Sequence, residues 1–286
     1  NRGLGDIPLS LFALVFRIRS FIPEAQITFF TRSDLKQGFE LLEGVQIREM
    51  PEWKRGCPYK LPEDLSYYDA LLDNPDPNYW VSWQIGNLTP KLFWDVKDDL
   101  LSLSFNLPYG CLGVHIETET DAHYGYRKNW GRDNFEKLFS SYTNPIILFG
   151  LKQTELFSHP HLIDLRGKLS LKQMLSIIKT RCHTLIAPDS GVLNFTYYLD
   201  NPFPIHLISL WADPNQGILK QNVSSPNPFL KHTPLLSPNR KDASLISLHH
   251  VLENLSAITP YNSYTSADRI SDYPYKKMGC LLLCGG

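Results

Sequence analysis

Segments with the pattern of strands alternate with segments with the pattern of helices, and this alternation constrains the fold more than any other feature of the chain. Strand patterns, rich in β-branched and aromatic residues, cover 25–32, 45–50, 68–73, 79–84, 111–119, 145–150, 161–167, 183–188 and 203–210. Helical patterns cover 8–23, 34–44, 89–105, 132–142, 171–181, 191–199 and 243–255. Such alternation predicts an α/β fold with mostly parallel sheets.

The alternation pauses at 107–110, where the sequence Leu-Pro-Tyr-Gly interrupts the apolar pattern. We therefore predict an N-terminal domain over 1–108, a second domain over 109–255, and an irregular tail over 256–286. Ligands of open parallel sheets bind beyond the carboxyl ends of the strands. Candidate site residues are therefore expected where the strand patterns end.

Composition excludes several classes of function. The chain has 28 Lys and Arg against 29 Asp and Glu, a formal net charge of -1, so binding to nucleic acid through bulk charge is not expected. No apolar run approaches the ~20 residues of a membrane span. The five cysteines are odd in number and mostly scattered, which favours a reducing cytoplasm. The closest pair of cysteines, Cys280 and Cys284, has no metal-ligand partner near it in sequence, and the chain contains no Asp-x-Asp pair. No metal site is therefore predicted.

One turn stands out at the end of a buried strand pattern. The apolar run stops at Pro188, and Asp189, Ser190 and Gly191 follow at the predicted start of a helix. A helix start offers unpaired N–H groups and a partial positive charge, which suit phosphate, and Asp189 suits the hydroxyls of a sugar beside it. The alternative is a simple helix cap, which contributes about 1 kcal/mol to stability.

Three more residues are candidates by the same argument. Lys128 lies in a loop with two cations and two aromatic rings and can meet a phosphate as a point charge, while Thr118 offers a hydroxyl at a strand end. Glu155 follows a strand that ends on Gly150, at a predicted helix start, and can bind a ribose diol. The alternatives are a solvated basic loop anchored by Trp130 and an acid favoured by the helix dipole.

Taken in order, these residues resemble the lipopolysaccharide heptosyltransferases, glycosyltransferase family 9, which transfer heptose from an ADP-sugar. The resemblance rests on Lys128 two residues before a tryptophan, on the strand that ends in glycine with Glu155 beyond it, and on Asp-Ser-Gly at 189–191. At the other end of the chain, the sequence Gly-Leu-Gly-Asp over 3–6 resembles the family's first turn. The resemblance implies the GT-B fold, in which two Rossmann-like domains face a cleft. It also implies that a first strand precedes this turn.

The resemblance also implies roles. Asp6 is the expected catalytic base, Lys128 and the helix start at Ser190 and Gly191 bind the diphosphate, and Asp189 holds the sugar. Asn194 occupies the place of a further substrate ligand, and Glu155 and Thr118 complete the expected set. The implied partners are an ADP-sugar donor and a glycan or lipid-linked glycan acceptor, with no cofactor and no metal. The implied location is the cytoplasm, with peripheral association at the inner membrane face.

Asn194 departs from the family pattern, which has histidine at this position. An amide can donate a hydrogen bond but carries no charge. Two hypotheses therefore stay open: a metal-independent glycosyltransferase in cell-surface glycan synthesis, and a catalytically degenerate protein that binds nucleotide-sugars. An unrelated doubly wound enzyme is disfavoured because the sequence has no G-x-G-x-x-G, Walker or G-x-S-x-G motif.

Overall fold

The computed structural model describes residues 3–62, 64–118, 120–122, 125–153 and 156–256, and within them the chain folds as an α/β protein. The strands are β1 (Ile27–Thr31), β2 (Val45–Glu49), β3 (Cys111–His115), β4 (Ile146–Phe149), β5 (Leu162–Asp164), β6 (Cys182–Pro188), β7 (Ile205–Trp211) and β8 (Leu230–Leu236). The α-helices are α1 (Phe12–Phe21), α2 (Ser33–Phe39), α3 (Pro77–Gln84), α4 (Arg132–Ser141), α5 (Leu171–Arg181), α6 (Gly191–Tyr198), α7 (Gly217–Gln221) and α8 (Leu248–Ser256). A π-helical turn covers Ile7–Leu11, and 3-10 helices cover Val96–Phe105 and Ala243–Leu245.

The larger sheet has six strands in the order β5-β4-β3-β6-β7-β8, and every neighbouring pair is parallel. Every residue of β3, β4 and β7 is buried, as expected for parallel strands with both faces covered. One face packs on α5 and α6, and the other packs on α4 and α8. The strand order reverses between β3 and β6, so this sheet has its topological switch point there.

The smaller sheet pairs β1 with β2 in parallel, with Ile27 opposite Val45. Its helices share one apolar core with the larger sheet. Leu11 and Phe39 from this part of the chain belong to the same cluster as Phe195 of α6. Because that core is continuous, the smaller sheet and its helices are packed directly against the α5 and α6 face of the larger sheet.

Four predicted segments differ from the structure. Residues 68–73 form no strand, 79–84 belong to helix α3, and the helical pattern at 89–105 forms a 3-10 helix from Val96 onward. No helix follows β4 within 150–153 and 156–161. The run Tyr-Trp-Val-Ser-Trp at 79–83 has high strand propensity, but strand propensity depends on packing against sheet neighbours, and α3 packs on the π-helical turn instead.

Two elements have no counterpart among the predicted segments. Strand β8 lies at the edge of the sheet and contains only half-buried and exposed residues, and its lysine, histidine and proline weaken the apolar pattern. Helix α7 has only five residues, too few for a periodic pattern. The predicted tail, apart from Ser256, lies outside the described residues. Within them, no helix combines the length and the apolar character needed to cross a bilayer.

Trp130 provides a test of the core beneath α4. Its side chain is fully buried, its Nε1 donates a hydrogen bond to the carbonyl oxygen of Ile246 at 2.8 Å, and its ring meets Phe135 edge-on. We expect Trp130→Ala to lower the free energy of unfolding by about 3–5 kcal/mol, because a large cavity forms. Urea denaturation measures the loss. The control, Trp83→Ala, removes a half-exposed ring, and an equal loss there would contradict the prediction.

Candidate active site

The candidate site lies at the switch point of the larger sheet, where β3 and β6 run side by side. The loop after β3 carries Lys128, and the turn after β6 carries Asp189. Ligands of doubly wound sheets bind in the crevice at such a reversal, because the connections on the two sides lead away from each other. The topology therefore brings together two residues that are 61 positions apart in sequence.

Lys128 and Asp189 form a buried ion pair. The Nζ of Lys128 donates to Oδ2 of Asp189 at 2.7 Å, and each side chain is only 10% exposed. The Lys128 ammonium also lies 5.7 Å from the centre of the Tyr126 ring, within the range of a cation–π contact. Each charged group loses its hydration on burial, and an unpaired buried charge is strongly unfavourable, so each group depends on the other for its stability in this position.

Loop hydrogen bonds hold Lys128 in place. Oδ1 of Asp121 accepts the backbone N–H groups of Lys128 and Asn129, at 2.7 and 2.8 Å. The Asn129 side-chain oxygen in turn accepts the N–H of Thr118 at 2.8 Å. The hydroxyl of Thr118 lies 3.3 Å from that of Thr120. Thr118 is therefore connected to Lys128 through the loop.

Gly217, the first residue of α7, limits the space around Asp189. A Cβ added to Gly217 would lie 2.5 Å from Oδ1 of Asp189 and 2.7 Å from Cη2 of Trp211. The backbone of Gly217 also has a φ of +48°, which side chains disfavour. Only glycine fits between the carboxylate and the indole.

Ser190 and Gly191 begin α6. The Ser190 hydroxyl accepts the N–H of Leu193 at 3.3 Å, so Ser190 is the helix cap that the sequence offered as the simpler alternative. A Cβ added to Gly191 would lie 3.0 Å from Cβ of Leu4 and 3.3 Å from the backbone nitrogen of Gly5. The helix start is therefore in contact with the loop that leads to Asp6.

Asp6 and Asn194 lie on the two sides of that contact. Oδ2 of Asp6 accepts the N–H of Gly3 at 2.8 Å, and the Asp6 carbonyl accepts the hydroxyl of Ser10. Asn194 is 2% exposed, and its Oδ1 has no hydrogen-bond partner within the described part of the chain. A Cβ on Gly5 would lie 2.9 Å from the Asn194 amide nitrogen. The Asp6 turn thus packs against α6 through glycine.

The structure brings most of the expected residues to one place. Lys128 and Asp189 are in contact, Ser190, Gly191 and Asn194 follow on α6, and the Asp6 turn packs on them. Glu155 lies outside the described residues. The roles of all these residues remain predictions. No group of three or more His, Cys, Asp or Glu that could hold a metal ion occurs in the described ranges.

Four residues that support the site were not predicted from the sequence. Asp121 and Asn129 hold the lysine loop, and Trp211 and Gly217 surround the Asp189 carboxylate. Two sequence features could have pointed to these residues: Asp121 is a polar residue in the loop after β3, and Gly217 is a glycine beyond the end of β7. Neither feature is specific, because the contacts that these residues make are with residues far away in the chain.

The fold has counterparts among solved structures, and several of these are glycosyltransferases. A structure titled E. coli ADP-heptose lps heptosyltransferase II matches with a TM-score of 0.60 and 15% identity, over 90% of this chain and 96% of that one. The family 9 glycosyltransferase of Veillonella parvula DSM 2008 matches with a TM-score of 0.53 and 15% identity, over 90% and 94%. The dodecameric iron-containing heptosyltransferase TibC, in complex with ADP-D-β-D-heptose, matches with a TM-score of 0.44 and 14% identity, over 80% of this chain and 59% of that one.

The chain therefore has a GT-B-like fold. More narrowly, the fold is that of the family 9 heptosyltransferases, as the sequence resemblance implied. No protein-family model matches the sequence, and no curated protein is similar enough in sequence to count as a relative.

Removal of one partner tests the buried ion pair. We expect Lys128→Met to lower the free energy of unfolding by about 3–5 kcal/mol, because it leaves the Asp189 carboxylate buried without its counter-charge. The double variant Lys128→Met/Asp189→Asn removes both charges and regains much of the loss. Chemical denaturation measures both. Lys36→Met, which breaks the exposed pair with Glu49, is the control and changes stability little. Additive losses in the double variant would contradict the pairing.

His115, at the end of β3, makes the fold sensitive to acid. Burial lowers the pKa of His115 from 6.5 to about 4, and its Nδ1 has no hydrogen-bond partner among the described residues. Below pH 6.5 the unfolded chain takes up a proton that the folded chain does not, so stability falls as the pH drops towards 4.

We expect His115→Gln to remove about 2 kcal/mol of the stability difference between pH 7.5 and pH 5.0. Part of the acid sensitivity remains, because burial also lowers the pKa of His206 and of His232 to about 4. Urea denaturation at the two pH values gives the difference, and His249→Gln, at an exposed position, is the control. The same pH dependence in the His115 variant and the wild type would show that His115 titrates normally.

Proposed function

We propose that the protein is a glycosyltransferase that moves a heptose-like sugar from an ADP-sugar to a cell-surface glycan or lipopolysaccharide acceptor. The observation that carries the proposal is the Lys128–Asp189 pair at the switch point, with the turn that bears Asp6 packed beside it. An ammonium group, an acid and a helix start are combined there in a fold shared with known glycosyltransferases.

The donor is proposed to bind through its diphosphate. One N–H of the Lys128 ammonium meets Asp189, and the group has two more to offer to diphosphate oxygens. The start of α6 at Ser190 and Gly191 adds the partial positive charge of the helix. The Asp189 carboxylate accepts hydrogen bonds from the sugar hydroxyls. Glu155 is proposed to hold the ribose, and Thr118 to contribute a hydroxyl.

The transfer is proposed to be a direct displacement at the anomeric carbon. The acceptor hydroxyl attacks that carbon from the side opposite to the diphosphate, Asp6 takes the hydroxyl proton, and the bond to the diphosphate oxygen breaks as ADP leaves. Lys128 and the α6 start stabilise the charge that develops on the departing diphosphate. The side chains named here account for each charge in the scheme, which calls on no metal and no cofactor.

The acceptor side of the proposal follows the same chemistry. A glycan or lipid-linked glycan would present its hydroxyl at the Asp6 turn. We propose that the protein works in the cytoplasm and meets such acceptors as a peripheral protein at the inner membrane face.

Asn194 favours a second candidate, a protein that binds nucleotide-sugars without transferring the sugar. The family histidine can carry a positive charge, while the Asn194 amide cannot. The side chain is also buried against the Gly5 backbone rather than open to a ligand. In this alternative the Lys128–Asp189 pair still binds the diphosphate, and no sugar is released.

Two measurements separate the candidates. We expect calorimetric titration to detect ADP binding to the wild type. The double variant Lys128→Met/Asp189→Asn should weaken it at least about tenfold, because the ammonium group that meets the diphosphate is lost and a tenfold loss needs only 1.4 kcal/mol. Asp6→Asn should keep ADP binding but lower the release of ADP from ADP-D-β-D-heptose, with water attacking in place of the acceptor hydroxyl, about a hundredfold or more. The control is Asp34→Asn, which removes an acid of α2 that is paired with Arg32. It should change neither the affinity for ADP nor the rate of ADP release.

The outcomes are distinct. ADP binding without turnover in the wild type would favour the binding protein. Turnover that survives Asp6→Asn would exclude Asp6 as the base. A wild type that binds neither ADP nor any ADP-sugar would contradict both candidates, and the Asp189 turn would then be a helix start and nothing more.

A further inference from the structure

Two glutamines meet in the protein interior where the first part of the chain packs on the second. Gln84, the last residue of α3, is fully buried, and Gln221, the last residue of α7, is 1% exposed. Nε2 of Gln84 donates to Oε1 of Gln221 at 2.9 Å. The pair joins segments 137 residues apart in sequence.

Both amides also hold the turn that follows Asp6. Nε2 of Gln84 donates to the carbonyl oxygen of Pro8 at 3.0 Å, and Nε2 of Gln221 donates to that of Leu9 at 3.5 Å. Pro8 and Leu9 lie in the π-helical turn, which contacts α3, α6 and α7. The glutamine pair is therefore attached directly to the backbone just beyond Asp6.

The other end of α7 reaches the Lys128–Asp189 pair. The helix begins at Gly217, which contacts the Asp189 carboxylate, and ends at Gln221. Its five residues form little more than one turn, so its two ends lie close together. The carbonyl oxygen of Gln221 also accepts the N–H of Gly86, which fastens α7 to the end of α3. A short, continuous path of contacts thus leads from Asp189 to the Asp6 turn.

The amide pair is not explained by stability. Oε1 of Gln84 has no hydrogen-bond partner among the described residues, and a buried oxygen without a partner lowers the stability of the fold. Replacement of both partners by apolar groups of the same shape is often neutral or stabilising. Hydrogen bonds are directional, so the pair fixes the position of the π-helical turn relative to α3 and α7. An apolar contact would not fix it in this way.

We propose that Gln84 and Gln221 are positioning residues that hold the Asp6 turn at a set distance from the Asp189 turn. This inference rests on the proposed function, in which Asp6 acts on the acceptor and the Lys128–Asp189 pair holds the donor. Loss of the amides leaves the donor side intact, and it lets the carboxylate of Asp6 shift relative to the anomeric carbon. A misplacement of about 1 Å is enough to slow a reaction about a hundredfold.

The test variant is Gln84→Met/Gln221→Met. Methionine keeps the length of the side chain and favours helix, so the protein is expected to fold. We expect the Kd for ADP to stay within about twofold of the wild-type value, and kcat for ADP release from ADP-D-β-D-heptose to fall about tenfold to a hundredfold with little change in KM.

Gln37→Met is the matched control. Oε1 of Gln37 accepts the N–H of Lys172 at 3.0 Å, so this glutamine also joins the two parts of the chain, but at α2 and α5 rather than at the Asp6 turn. Its kcat should equal that of the wild type. A double variant with unchanged kcat, or one in which kcat and ADP affinity fall in step, would overturn the proposal, since a general loss of structure affects both.

A second measurement keeps the positioning separate from the proposed function. Hydrogen exchange of the backbone amides in 3–11 is measured on the ligand-free protein. We expect it to accelerate in the double methionine variant and not in Gln37→Met. If the wild type neither binds ADP nor releases it from the sugar, the proposed function fails. The exchange result then decides by itself whether the two glutamines hold the Asp6 turn. Equal exchange in all three proteins would overturn the role of the glutamines.

Discussion

The close approach of two backbones, at Gly5 and Gly191, is the constraint on which the arrangement of this molecule depends. A Cβ on Gly5 would lie 2.9 Å from the Asn194 amide nitrogen, and one on Gly191 would lie 3.0 Å from Cβ of Leu4, so glycine at both positions lets the loop before Asp6 come this close to the start of α6. That contact sets the distance between the smaller sheet and the switch point of the larger one. The apolar core then grows around it, with Ile7 and Leu11 beside Phe195.

Several of the polar groups buried in this interior lie in or next to the candidate site, and their burial is costly. The Lys128–Asp189 pair, the Asn194 amide and the two glutamines are all buried to 90% or more. An apolar residue would stabilise most of these positions better, because each polar group loses its hydration. The proposed function explains why these groups are polar: those at the ends of β3 and β6 bind a charged substrate, and the two glutamines position the Asp6 turn.

The second half of the chain followed its sequence pattern closely, and the first half did so less well. Strands such as β3, β4 and β7 are apolar throughout, and a parallel strand covered on both faces has this pattern. The aromatic run that became α3 had the composition of a strand, and packing against the π-helical turn decided otherwise. The edge strand β8 was missed because one side of an edge strand is open and tolerates polar residues.

Local sequence determined the α/β class, the strands of the larger sheet other than β8, and the turn at Asp189, because each depends on residues that are close together in the chain. The resemblance of ordered motifs added the GT-B-like fold. Only the tertiary structure decided that Lys128 pairs with Asp189, that Gly217 lies against that acid, and that two glutamines join α3 to α7. These contacts span tens of residues to more than a hundred, and no periodicity records them. The first two arise because parallel strands bring distant loops to the same edge of a sheet, and the third arises because the first part of the chain packs on the second.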